Sequence, residues 1–304
     1  MATTDDVTVQ QALEGGDAAP ARSEWGLAWR RFIRNKAAIA GGVVLIAIAI
    51  VAILADVIAP HSLNYYNPVL FNSPPGEGGH LLGTDRVGRD VFTRVVHAPR
   101  ISLRIGFLAV AIAATGGTFV GLVAGFVGGK VDWAISRVLD VMLAFPGILL
   151  AIVIVSTLGP GLNNALIALG IAAIPYYARV VRGATLSARE LIYVRAARAV
   201  GMREARIMLR HVLPNVVSPI IIMATLGLAS AIIAAAGLSF LGLGAEPPTP
   251  EWGLELAEGR RYLRTAPWVP MPHGIAIFIT VMSLNLLGDG LREALDPQAS
   301  AWTN

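Results

Sequence analysis

The chain has 304 residues, 55% of them hydrophobic and 14% charged, and it contains no cysteine. Soluble domains carry about a quarter charged residues, so a surface this poor in charge must face lipid over much of its extent. The net charge of +4 does not point to nucleic acid, because the arginines flank apolar segments instead of clustering with aromatics; the missing thiols exclude disulfides, thiolate catalysis and cysteine metal sites.

Residues 1–24 are polar, acidic and rich in Ala and Gly, which predicts a disordered cytoplasmic tail. A helix needs about 20 apolar residues to cross a bilayer core. Six runs meet or approach that length: 37–59, 105–127, 138–158, 162–178, 212–245 and 266–288. The first is longer than the roughly 7–15 residues of a signal-peptide core, and no small-x-small site follows it cleanly, so it reads as a retained span. The fold class expected is all-α, a polytopic membrane protein with six transmembrane helices. Residues 25–100 form the first helix and an extracytoplasmic loop, and 101–297 form a core of five helices with a cytoplasmic loop at 183–214.

Between the first two runs, the stretch from Pro60 to Arg100 contains Asn-Pro, Pro-Pro-Gly and Gly-Gly and reads as loop. In the second run Gly117, Gly121, Gly125 and Gly129 recur every four residues, a smooth stripe for close helix packing. The fifth run is too long for one span. It is expected to start in the cytoplasm and break near its outer end, between Ala236 and Gly244, and it is the candidate for lining a path. After it, 246–272 forms a second outer segment, where Trp252 and Trp268 suit an interfacial position.

Orientation follows from Lys and Arg. With the N-terminus inside, the inner segments hold sixteen, the outer segments seven, and Arg104 sits at the outer edge of the second span, so both termini are placed in the cytoplasm. Eight of the inner arginines lie between Arg179 and Arg210. The polar segment 182–214 is amphipathic, is interrupted by Gly201 and closes with His211-Val212-Leu213-Pro214, which predicts two short helices with a glycine joint. A β-branched residue at Gly201 is expected to strain the bend and to add bulk at a packed surface.

The spacing in this segment resembles the Glu-Ala-Ala loop of binding-protein-dependent ABC importers: that triplet, three residues, a glycine, nine residues, and an apolar-x-Leu-Pro ending. Here Arg195-Ala196-Ala197 is followed by Arg198-Ala199-Val200, then Gly201, nine residues, and His211-Val212-Leu213-Pro214. Arg195 stands where the family has glutamate and His211 where it has an aliphatic residue; both departures resemble the dipeptide and oligopeptide branch. His80-Leu81-Leu82-Gly83-Thr84-Asp85, Ala98-Pro99-Arg100-Ile101-Ser102-Leu103, Leu238-Ser239-Phe240-Leu241-Gly242-Leu243-Gly244 and the stretch from Asn285 to Pro297 resemble that branch's second, C-type permease. The resemblance runs from Ser23 to Pro297, with His273 as a small departure between Pro272 and Gly274.

The resemblance implies the permease fold of a type I ABC importer in a bacterial cytoplasmic membrane. It implies a second, homologous permease subunit, two ATPase subunits that carry ATP and Mg, and an extracytoplasmic solute-binding protein. Ala196, Ala197, Arg198, Gly201, His211, Leu213 and Pro214 would form the ATPase-coupling loop. This chain would bind no cofactor or metal and no nucleic acid. Relatives of this type carry dipeptides, oligopeptides, nickel chelates, glutathione and some oligosaccharides. The chain has no phosphate-binding loop and no metalloprotease or nucleophile-elbow motif, so it does not read as an enzyme. The alternative is an ion-gradient-driven secondary transporter, which needs ionisable groups at mid-membrane. Here Asp140 lies near a span end, within one helical turn of Arg137, and His273 reads as interfacial.

Overall fold

The computed structural model describes residues 24–295. The expected tail, apart from Glu24, lies outside the described residues, as does Pro297. The described chain is helical: α1 (Glu24–Arg34), α2 (Lys36–Ile53), α3 (Val91–Val127), α4 (Gly129–Leu143), α5 (Gly147–Leu158), α6 (Leu162–Ala188), α7 (Ile192–Ala199), α8 (Glu204–Phe240), α9 (Trp252–Gly259) and α10 (Met271–Leu295). Five of these, α2, α3, α6, α8 and α10, are long and apolar enough to cross a bilayer. Taken together, α4 and α5 are also long and apolar enough to cross, but they bend by 91° at the break between them.

The run 138–158, expected as one span, is divided by that bend. The bend falls at Phe145-Pro146-Gly147, where proline has no N–H to continue the ladder. It also changes a predicted pair. Asp140 bonds Arg179 of α6 at 2.6 Å, while Arg137 lies over the Trp133 ring. The second expected span is longer than predicted as well. It begins at Val91, so one helix of 37 residues crosses the division drawn at residue 100. At about 1.5 Å per residue it runs some 55 Å and projects beyond a bilayer core.

The central contact is between α3 and α6. A Cβ at Gly117 would lie 2.3 Å from the Cβ of Tyr177, one at Gly121 would lie 2.4 Å from the Ala178 carbonyl oxygen, and one at Gly125 would lie 2.8 Å from the Arg182 carbonyl oxygen. The two backbones touch here and residue numbers rise together, so the helices run parallel. Gly129 leaves the stripe; it lies beyond the helix end with φ of +57°. Against this pair α8 runs antiparallel, with Ile232 over Gly106 and Tyr177 at Gly227. On the other flank α2 and α10 pack antiparallel, Gly41 against Ser283 and Gly290 against Ala38. These senses place the starts of α2 and α8 and the ends of α3, α6 and α10 at one end of the molecule, where Asn35 also bonds Glu293 at 2.8 Å.

At the opposite end the two expected outer loops fold together as one cap over the start of α3. Arg94 is 1% exposed and pairs with Glu255 of α9, and its guanidinium donates to the Pro248 carbonyl at 2.9 Å. Arg86 and Arg89 both reach Glu258, at 2.6 and 2.7 Å. Glu251 caps α9 by accepting from the N–H groups of Gly253 and Leu254. Trp252, expected at an interface, is instead 2% exposed within this cap. It can sit there because its indole N–H donates to the Val95 carbonyl at 3.3 Å. His273 is likewise buried, in the first turn of α10, with Nδ1 3.0 Å from the Val269 carbonyl.

Two outcomes follow from this packing. Gly121→Val should lower thermal stability in detergent by about 1–3 kcal/mol through overpacking. Gly183→Ala on α6, where a Cβ meets nothing within 4 Å, should be near neutral by the same melting measurement. The second outcome concerns acid. Burial raises the pKa of Glu258, but hydrogen bonds from Arg86 and Arg89 outweigh it and hold the carboxyl below its ordinary value of 4.5. A depressed carboxylate pKa contributes stability that is present above the ordinary value and lost as pH falls through the folded one. The cap should therefore loosen below pH 4.5, and Glu258→Gln should flatten that part of the melting-temperature profile.

Candidate functional site

The segment after α6 folds back onto the end of the bundle opposite the cap. Val194, Ala197, Ile207, Val212 and Val216 are buried there with Leu122 and Val181 from the ends of α3 and α6. Spacings of three and four bring Val194 and Ala197 to one face of α7. The other face is exposed: Ile192 at 79%, Val200 at 80%, and Ala196 and Ala199 between them. These positions recur at i, i+4, i+7 and i+8, an apolar stripe left uncovered on a polar surface.

The joint is a defined turn. The Gly201 N–H bonds the Arg198 carbonyl at 3.0 Å and the Met202 N–H bonds the Ala197 carbonyl at 3.1 Å, the pattern of a Schellman ending. It requires a left-handed residue after the helix, and Gly201 has φ of +79°. The expected crowding at this position is absent, since a Cβ on Gly201 meets nothing within 4 Å; only the dihedral demands glycine. Arg198 spans the joint and holds Glu204 with two hydrogen bonds, of 2.7 and 3.1 Å.

Beyond the joint the chain enters α8 through a π-helical turn, Met208–Val212. Pro214 accounts for the widened turn, because its ring would collide with the carbonyl four residues back and it has no N–H to offer. Leu213 is partly buried against the inner cluster. His211 is half-buried, and its carbonyl accepts from Asn215, whose amide also reaches the Tyr193 hydroxyl at 2.7 Å. The residues named from the sequence therefore do not share one surface. Ala196 is on the exposed stripe, Ala197 packs inward, Arg198 and Gly201 make the joint, and His211, Leu213 and Pro214 build the root of α8.

Above this segment lies a cavity of about 420 Å³ between α3, α5, α6 and α8. Leu226, Gly227, Ser230, Ala231 and Ala234 of α8 form one wall, and Tyr176 and Tyr177 of α6 face them. The Tyr177 hydroxyl donates to the Met223 carbonyl at 3.0 Å and lies where a Cβ at Gly227 would be. The cavity is mostly apolar, with these few hydroxyls as its polar groups. As expected, α8 ends near its outer limit, at Phe240, and Gly242 follows with φ of +77°. Sequence reasoning missed the cavity's α5 wall, because 138–158 was read as one span without a break at Pro146; the Pro146-Gly147 pair was the available signal.

Comparison with known proteins bears on this architecture. Residues 117–301 match the family described as "Binding-protein-dependent transport system inner membrane component", and residues 23–75 match the N-terminal TM domain of oligopeptide transport permease C. The chain is 46% identical over 283 residues to the dipeptide transport system permease protein DppC of Alkalihalophilus pseudofirmus, covering 93% of this chain and 92% of that protein. It is 44% identical over 278 residues to the glutathione transport system permease protein GsiD of Pectobacterium atrosepticum, covering 91% and 92%. A chain of the inward-facing MetNI methionine ABC transporter superposes with a TM-score of 0.54 at 21% identity, covering 67% of this chain and 96% of that one, which is a likeness of fold.

The cavity wall can be probed directly, because the chain has no native cysteine. Ser230 is exposed to the cavity, whereas its neighbour Ala229 is 2% exposed against the α10 side. Ser230→Cys should react with a small water-soluble thiol reagent and Ala229→Cys should not. Equal protection of both would mean that the cavity does not admit water.

Proposed function

Because the chain belongs to the family of binding-protein-dependent transport system inner membrane components, we propose that its exposed α7 stripe is the contact through which partner ATPases drive transport. The chain is a permease subunit of an ABC importer and is not itself an enzyme. Its substrates are small peptides or peptide-like solutes, a reading supported by the dipeptide and glutathione systems named for its relatives. It works beside a second, homologous permease, two ATPases that hold ATP and Mg, and an extracytoplasmic binding protein that delivers the solute. Both termini lie in the cytoplasm, the orientation supported by the excess of Lys and Arg at the α7 end.

One observation carries the coupling role: an uncovered apolar stripe of Ile192, Ala196, Ala199 and Val200, joined by a tight turn to the helix that walls the cavity. Docking would bury that stripe in a groove on an ATPase. Closure of the ATPases would then displace α7 as a body. The Schellman turn at Gly201 and the Arg198–Glu204 bridge pass the displacement into the root of α8. From there a continuous helix reaches the cavity wall at Leu226 to Ala234. A second permease would close the open side of the cavity, and alternate packing of the two would expose it to either side of the membrane.

Gly201→Val tests this path. It forces a β-branched residue to φ of +79°, at a cost of about 1–3 kcal/mol, with no steric clash in the bundle. Membrane abundance should stay normal. Co-purification of the ATPases, or stimulation of ATP hydrolysis by loaded binding protein in proteoliposomes, should fall. Gly201→Asn should recover part of the loss, since asparagine tolerates the left-handed region. Wild-type assembly, stimulated hydrolysis and uptake in Gly201→Val would refute a coupling role for the joint.

A further inference from the structure

At the end of the molecule opposite α7, three separate pieces of chain converge on one point. His61 follows the first span, His80 comes from the turn-rich loop, and Asp90 is the residue that opens α3. One donor atom from each lies within 4.8 Å of the others. His80 is fully buried and Asp90 is 2% exposed. The His61 side chain is 22% exposed, which leaves the group open to solvent on one side. The sequence pattern named no metal ligand, because these residues are spread along the chain and all three sit in the stretch read as loop.

The contacts within the group leave nitrogen atoms over. His80 Nδ1 lies 2.8 Å from Asp90 Oδ1, a hydrogen bond. Asp90 Oδ2 is spoken for as the cap of α3, accepting from the Thr93 N–H at 2.7 Å. His61 Nδ1 stands 3.7 Å from Asp90 Oδ1, beyond hydrogen-bond reach, and is buried without a partner; His80 Nε2 is buried without one too. Buried imidazole nitrogens in native proteins are nearly always satisfied. Two donors on a tetrahedral ion with bonds of about 2.1 Å stand about 3.4 Å apart, close to the His61–Asp90 spacing. The rings of His61 and His80 are already stacked at 4.4 Å, with Tyr65 against His61, so both imidazoles are held before any ion arrives.

The geometry points to a binding site for a divalent transition-metal ion of the zinc class, with His61, His80 and Asp90 as ligands. Two imidazoles and one carboxylate form a donor set suited to Zn²⁺, and a fourth position remains for water on the exposed side of His61. The Thr93 N–H acts as the outer support that orients the carboxylate. Main-chain bonds hold the His80 loop against Asp90, with the Asn72 and Asp85 backbones paired at 2.9 Å and the Val91 N–H on the Gly83 carbonyl at 3.1 Å. An ion there ties the first span, the loop and α3 into one unit at the extracytoplasmic cap. The placement of that cap outside the cell rests on the orientation proposed above; the metal site does not.

The test uses the assembled transporter, purified through an affinity tag without histidine and stripped with a chelator. It is titrated with Zn²⁺ by calorimetry, and with Co²⁺ as an optical probe of the coordination geometry. The wild type should bind one ion at this site, and Co²⁺ should give the intense visible bands of four-coordination. His61→Phe keeps the ring stack on His80 and removes the nitrogen, and His61→Ala removes both. Each should weaken binding by roughly tenfold or more and abolish the visible bands. No ion retained by the wild type overturns the site. So does binding that is unchanged in whichever of the two variants assembles, since the ion would then lie elsewhere. Loss of coupling in Gly201→Val has no bearing on this result, so the two proposals fail separately.

Discussion

The parallel contact between α3 and α6 is what the rest of the molecule depends on. Gly117, Gly121 and Gly125 bring the two backbones together, so that neither helix can shift along the other without driving side chains into a main chain. Within a bilayer there is little hydrophobic gain from joining two helices, and close packing supplies the attraction. Because the pair is parallel, its two ends are different places. The starts of both helices lie at one end, with the projecting turns of α3 carrying the cap, and their ends lie at the other, where α6 hands the chain to α7. The asymmetry of the transporter is set by this one contact.

The two ends are also built from different interactions. At the cap, Arg94–Glu255 holds α3 to α9, and Arg86 and Arg89 hold the loop before α3 to Glu258, through charges that are mostly buried. Losing one partner from such a set strands the other, so the set resists partial opening. At the inner end, α7 is held by a small apolar cluster and by an exposed bridge between Arg198 and Glu204, which contributes little by itself.

Between the ends, α8, like α3, touches the α7 segment, the cavity and the cap. Its root is widened by the π-helical turn before Pro214, its middle supplies Gly227 and Ser230 to the cavity, and its outer end breaks after Phe240. Tyr177 locks the middle in place by donating to the Met223 carbonyl. The cavity wall therefore lies between the root of α8 and the charged cap.

The sequence by itself determined a great deal. Membrane residence follows from 14% charge and six apolar runs, because lipid admits only long, internally bonded helices. The glycine joint at residue 201 and the outer break of α8 were legible because glycine and proline report backbone geometry locally. Residues whose partners lie far along the chain were not legible. The pairing of Asp140 with Arg179 instead of Arg137, the burial of Trp252 and the convergence of His61, His80 and Asp90 all depend on which helices lie side by side. So does the joining of two loops, separated by some 150 residues, into one cap. Short-range patterns decide where the chain is helical and where it bends. Only the packing of the helices decides which charges meet, because that depends on contacts the order of residues does not display.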